Sequence, residues 1–249
     1  MLTLHLKTAN LMRVEPGQNP DLPSPRCYRG PQGLGEEAAR ALEQNSRPNS
    51  GGSGLEEQAF LRQWAEEEGC LIPPSAWESL HLVADHTLEH QVRFRESDYR
   101  AVKRTLPGSF GFVPAPDGSK WVPRPANAGE YLHRLHLQNL IFGDEIQLEG
   151  GMVVTGGPFI LGQPTGGFAF VISQPWLEAA DNKQQYPSEA AVDEFLRGMG
   201  FERLLNAFYG WRSTDQSLVI LDAKPDNFIA TPDGILPIDL LLAEVFSSN

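Results

Sequence analysis

The 249-residue chain is short of cysteine, of long apolar runs and of basic stretches, and each shortage removes a class of protein. Cys27 and Cys70 are its two cysteines, far apart and without a CxxC partner. Neither a disulfide framework nor a zinc knot follows, and a reducing cytoplasm is the expected location. No stretch approaches 18 consecutive apolar residues, and the opening Met1-Leu-Thr-Leu-His-Leu-Lys7 lacks the apolar core of a signal peptide, so no membrane association is expected. Lys and Arg number 20 against 32 Asp and Glu, a net charge of −12 with pI near 4.9. Binding a polyanion needs a basic stripe that releases counterions, so no nucleic-acid partner is expected either. A single nucleotide is a different matter, because one lysine, a divalent metal and backbone N–H groups suffice to neutralise its few phosphates. No Walker-type G-x-x-x-x-G-K-[ST] occurs, and Gly108-Ser-Phe-Gly111 lacks the spacing of a nucleophile elbow. His133 and His136 lie one helical turn apart without a third ligand nearby in sequence, and read as a surface or packed pair.

What the chain has is enough apolar material for a core: 41% hydrophobic residues against 21% charged. That material is unevenly spread. From about Asn10 to Gly54 the sequence is rich in Pro, Gly, Ser, Asn and Arg, with one helix-like patch at Gly35–Glu43. Residues 1–54 are therefore expected to form a flexible or poorly structured arm, ending in the joint Ser50-Gly-Gly-Ser-Gly54. The spacing of Leu55, Phe60, Leu61 and Trp64 predicts a helix that opens the folded domain, residues 55–249. A hairpin is predicted from His90–Phe94 and Tyr99–Thr105 across the polar turn Arg95-Glu-Ser-Asp98. A helix over about Ala128–Ile141 follows, with Asn127 and Glu130 spaced as a capping box. Strands are expected at Glu145–Glu149, Met152–Thr155 and Phe168–Ser173, a helix near Ser188–Met199, then short strands at Leu218–Leu221, Phe228–Ala230 and Ile235–Ile238.

Chemistry concentrates near the end, in Leu221-Asp-Ala-Lys-Pro-Asp-Asn-Phe-Ile-Ala-Thr-Pro-Asp-Gly-Ile-Leu-Pro-Ile-Asp239. Asp222, Lys224, Asn227 and, beyond a hairpin, Asp239 are the residue types that phosphoryl transfer needs. One carboxylate orients an attacking hydroxyl and accepts its proton, while an amide oxygen and a second carboxylate suit Mg²⁺, a hard ion that prefers oxygen. A lysine beside them neutralises charge on the transferring group. Asp, Lys-Pro and Asn are also common turn residues. A plain turn explains the run Asp222–Asn227, but not the further Asp239 placed to fold back on it.

The run Asp222-x-Lys224-Pro-x-Asn227 resembles the catalytic loop of protein kinases and related small-molecule phosphotransferases, and Ile238-Asp239-Leu240 resembles their metal-binding Asp motif. Tyr99-Arg-Ala-Val-Lys103 is similar to their third-strand lysine motif. From about Leu55 to Val245 the chain is most similar to the kinase-like domains of bacterial and phage polyvalent proteins. The resemblance implies an α+β, two-lobed protein-kinase-like fold, with an N-lobe over about 80–175 and a reduced C-lobe over about 176–249. It implies ATP between the lobes with Mg²⁺ or Mn²⁺ on Asn227 and Asp239, Asp222 and Lys224 as catalytic residues, and Lys103 on the phosphates. It also implies that Glu130 pairs with Lys103, and that backbone groups near Ser173 and Gln174 receive the adenine.

Departures from the family pattern shape these expectations. No G-x-G-x-x-G precedes Lys103, where the chain reads Thr87-Leu-Glu-His-Gln-Val92 instead. Leu221 stands where regulated kinases carry an arginine, and Leu240-Leu241 replaces Phe-Gly. The sequence ends ten residues after Asp239, so the usual substrate-platform helices are not expected. Two functions remain: a kinase-like phosphotransferase acting on an unidentified protein or small-molecule hydroxyl, or a catalytically silent nucleotide-binding or interaction module of a mobile-element or toxin-associated protein.

Overall fold

The computed structural model describes residues 54–84, 88–155, 166–181 and 185–245. The expected arm up to Ser53 lies outside the described residues, as does Thr87. The chain first forms α1 (Gly54–Glu67), α2 (Pro74–Glu78), β1 (His81–Ala84), β2 (His90–Arg95) and β3 (Arg100–Thr105). Next come β4 (Phe112–Asp117), β5 (Lys120–Pro125) and α3 (Ala128–Phe142), then β6 (Gln147–Val154) and β7 (Gly167–Pro175). It continues through α4 (Glu189–Gly198), β8 (Phe201–Leu204), β9 (Gly210–Ser213) and β10 (Leu218–Leu221), ending in β11 (Phe228–Thr231), β12 (Gly234–Pro237) and β13 (Leu241–Glu244). The described residues are mixed α+β, and their named strands pair antiparallel. They divide into two compact units, residues 54–110 with 147–176 and residues 111–146 with 177–245. Among the described residues the last of three passages between units falls after Trp176, where a lobe boundary is expected from sequence. Residues 111–146, expected in the first lobe, cluster with the second unit.

The first unit is a five-stranded sheet in the order β1-β2-β3-β7-β6. The expected hairpin is β2–β3, with Val92 opposite Lys103 and Phe94 opposite Ala101. Strands predicted separately at 145–149 and 152–155 are a single strand, β6, whose register slips between Leu148 and Gly150. The two glycines that look like a break between strands instead allow a bulge and a close approach. Gly150 has φ +148, and the chain between α1 and α2 lies against this point: Gly151 N–H donates to Cys70 O at 3.1 Å, and Ile72 N–H donates to Gly151 O at 2.7 Å. Trp77 then packs with Val102, Met152 and Val171 on one sheet face.

The second unit is built on the sheet β13-β10-β9-β8, over which Leu137 of α3 and Val192 and Leu196 of α4 bury with Trp211, Ile220, Phe228 and Leu240. α3 begins at the predicted capping box: Asn127 Oδ1 accepts from Glu130 N–H at 2.8 Å, and Glu130 Oε2 accepts from Asn127 N–H at 3.0 Å. α4 is likewise capped by the Ser188 hydroxyl. The ribbon β4–β5 is unexpected, because Pro114, Pro116, Pro123 and Pro125 argue against strands. In the observed register Pro114 faces Pro123, Pro116 faces Trp121, and Pro125 faces Phe112. All four prolines therefore share one phase of the ladder, the one whose N–H groups point away from the partner strand, where a missing donor breaks no bond.

An added Cβ at Gly151 would clash with the edge of the Phe168 ring, which is itself buried. Gly151→Ala is therefore expected to destabilise the first unit by about 1–3 kcal/mol, in the range typical of overpacking. Urea unfolding would show it as a lowered midpoint, whereas an unchanged midpoint would contradict this packing.

Candidate functional site

β10 runs between β9 and β13, and its last residue, Leu221, is buried. The chain must leave the sheet at the next position. Asp222 makes that turn with φ +57, a left-handed conformation that Asp tolerates better than most residues. Ala223 N–H then donates to Tyr209 O at 3.1 Å, and Pro225 opens a single 3-10 turn, Pro225–Asn227. That turn carries Asn227 back over Asp222. Asn227 Nδ2 donates to the Asp222 backbone oxygen at 2.7 Å and to its carboxylate Oδ2 at 2.8 Å. The β11–β12 ribbon leads out and returns, and Ile238 N–H donates to Asn227 O at 2.9 Å. Asp239 is thereby set beside the turn.

Four of the sequence-predicted residues thus meet in one place. Lys224 Nζ lies 3.5 Å from Asp222 Oδ2 and 3.8 Å from Asp226 Oδ2. Asp222, Lys224 and Asp239 are each about one-third exposed at the side chain, so a solvent-borne ligand can reach them. Burial pushes the Asp222 carboxyl above the ordinary carboxylate value; the Lys224 charge and the Asn227 hydrogen bond oppose this, and the Asp239 charge adds to it. Two carboxylates that feel each other's charge, with the Asn227 amide bonded to one of them, are oxygen donors of the kind that a hard divalent cation takes. Asn227 fits this use, since the amide orientation shown spends Nδ2 on Asp222 and leaves Oδ1 as the atom for a cation.

A residue that the motif does not include completes this group. Arg134 of α3, buried to 1% exposure, reaches Asp239 Oδ1 with Nη2 at 3.4 Å and donates from Nη1 to Phe112 O at 2.7 Å. Its guanidinium also lies 5.3 Å from the centre of the Tyr131 ring. The sequence signal was a cation three residues after Tyr131, within the helix's apolar stripe.

Glu130 is engaged locally: besides closing the capping box, its carboxylate forms a two-pronged ion pair with Arg124. Burial would raise its pKa, but the Arg124 and Asn127 hydrogen bonds, with the Arg124 charge, hold it below the ordinary value. In the first unit, Lys103 is buried in the middle of β3, between Val92 and Ile172. Gln174 pairs with Ala101, two positions from Lys103, so Lys103 and Gln174 share a sheet face. Gln174 Oε1 is buried and accepts no hydrogen bond among the described residues. Ser173 points to the opposite face, where its hydroxyl accepts from Arg100 Nε at 2.8 Å and donates to Glu149. β7 also continues to Pro175, so Ser173 sits inside the ladder rather than at its end. Of the two histidines on α3, His133 lies 3.2 Å from Glu244 Oε2, and the two rings are 6.4 Å apart.

Comparison with protein-family models, with curated proteins and with solved structures gives no match to this chain. No helix among the described residues is long and apolar enough to cross a membrane.

The raised Asp222 value fixes a pH dependence. A carboxyl that holds its proton more tightly folded than unfolded destabilises the fold once ionised, and that loss vanishes below the ordinary carboxylate range near about 4. Asp222→Asn, which also tolerates the left-handed backbone, should raise the thermal midpoint at pH 7–8. The gain should shrink as the pH falls through the folded pKa. A lower midpoint for the variant at pH 7 would contradict this account of the site.

Proposed function

We propose that this protein is a kinase-like phosphotransferase that uses ATP with Mg²⁺ or Mn²⁺ and acts on a protein or small-molecule hydroxyl. The observation that carries the proposal is the closed Asp222–Asn227 turn with Lys224 and Asp239 beside it. In this reading the Asp222 carboxylate orients the acceptor hydroxyl and takes its proton as the oxygen bonds to the γ-phosphorus. The bond from that phosphorus to ADP breaks, and Lys224 offsets the charge that builds on the transferring group. Asn227 and Asp239 would hold the metal, whose contribution is to neutralise phosphate charge. Lys103 would pair with phosphate, and backbone groups near Ser173 and Gln174 would receive the base. The strands around Lys103 support the reading at the level of architecture: an antiparallel five-stranded sheet with the lysine on its third strand.

One observation favours the second reading, a catalytically silent nucleotide-binding module. Glu130, expected to steer Lys103, is occupied by Arg124 and by its own helix cap.

The test is a pair of measurements on the full chain. ATP with Mg²⁺ should raise the thermal midpoint, and Lys103→Met should weaken that shift. Phosphate release or autophosphorylation should fall at least about 100-fold in Asp222→Asn, the scale expected for loss of a general base. Binding without any difference in transfer between wild type and Asp222→Asn would favour the silent module. Absence of nucleotide binding would overturn both readings.

A further inference from the structure

A buried oxygen acceptor nearly always has a donor, and one that lacks it marks a place where another group belongs. Gln174 carries such an atom: the residue is 5% exposed, and its Oε1 has no hydrogen-bond partner among the described residues. The ladders of the first unit fix what surrounds it. Phe94 lies opposite Ala101 in β2–β3, and Ala101 lies opposite Gln174 in β3–β7, so the three side chains form one row on one sheet face. The next row on that face is Val92, Lys103 and Ile172. Phe94, Ala101, Val92 and Ile172 have no side-chain donor to offer. Lys103 is the diagonal neighbour of Gln174, at about 7–8 Å between backbones. A nucleotide is long enough to place its base at one of these two residues and its phosphates at the other.

We infer that the Gln174 side chain selects the nucleobase, its Oε1 accepting a hydrogen bond from the 6-amino group of adenine. This role rests on the phosphotransferase reading, in which backbone groups near Ser173 and Gln174 receive the base. An exocyclic amine carries two hydrogens, so one can serve the backbone and the other the side chain. A carboxamide is also the side chain that pairs with adenine at two points, accepting from the amine and donating to a ring nitrogen. A purine without the amine leaves the buried oxygen unpaired, and that lost bond is the source of selectivity. Guanine is the less telling competitor, because rotating the amide by half a turn brings Nε2 to its 6-oxygen.

The test is calorimetric titration of the full chain with the Mg²⁺ complexes of ATP and of purine riboside triphosphate, which has hydrogen in place of the 6-amino group. Wild type should bind ATP about five- to tenfold more tightly than the analogue, the scale of one hydrogen bond. In Gln174→Leu the affinity for ATP should fall by a similar factor while the analogue is little affected, so that the ratio between the two nucleotides drops several-fold. A ratio unchanged by the substitution overturns the inference and leaves the base to the backbone. Equal weakening of both nucleotides marks a structural role and overturns it too. If Gln174→Leu does not fold, Gln174→Met, closer in shape, takes its place. Equal affinity of wild type for the two nucleotides overturns the inference without any variant. If wild type binds neither nucleotide, the phosphotransferase reading falls with it.

Discussion

The Asn227 side chain, by bonding at once to the backbone oxygen and the carboxylate of Asp222, sets the geometry on which the rest of the candidate site depends. Binding the backbone alone would leave the carboxylate free to rotate, and binding the carboxylate alone would leave the turn loose. Held together, they lock a half-buried acid against the end of a central strand. Asp239 inherits its place from the same residue, because the returning ribbon is tied at Ile238 to the Asn227 carbonyl. Three candidate side chains thus depend on one short turn. The raised proton affinity of Asp222 is the electrostatic consequence of holding it there, near a second carboxylate and partly out of water.

Much of this was legible in the sequence because it is local. The capping box at Asn127 and Glu130, the β2–β3 hairpin, and the folding back of Asn227 and Asp239 each depend on residues a few positions apart or joined by a single turn. What was not legible depends on register or on partners far along the chain. The β6 bulge looked like two strands because Gly150-Gly151 normally ends a strand; its reason, the approach of the Cys70 backbone, lies about 80 residues upstream. Ser173 and Gln174 look equivalent as neighbours, yet alternation along β7 sends them to opposite faces, one into the Arg100–Glu149 network and the other to the Lys103 side. Arg134 was passed over because an arginine on a helix usually marks the solvent face, and nothing local shows that it meets Asp239 105 residues later.

Global and local charge also part company here. A net charge of −12 describes the solvated surface, whereas the acids of the candidate site stand beside Lys224 and Arg134. Burial decides how strongly each contact is felt. The exposed side of the cluster is screened by water and salt, while the arginine side is not.

The proline phase of the β4–β5 ribbon has a consequence beyond tolerance. A strand presented to solvent offers a row of donors and acceptors that a second chain can copy into a growing sheet. Here the more exposed strand of the ribbon, β5, carries a pyrrolidine ring in place of a donor at Pro123 and Pro125. A foreign strand laid along the β5 border would find two of its three outward donors missing and a ring in its path. The prolines that hide this ribbon from sequence inspection therefore also protect the molecule against edge-to-edge aggregation.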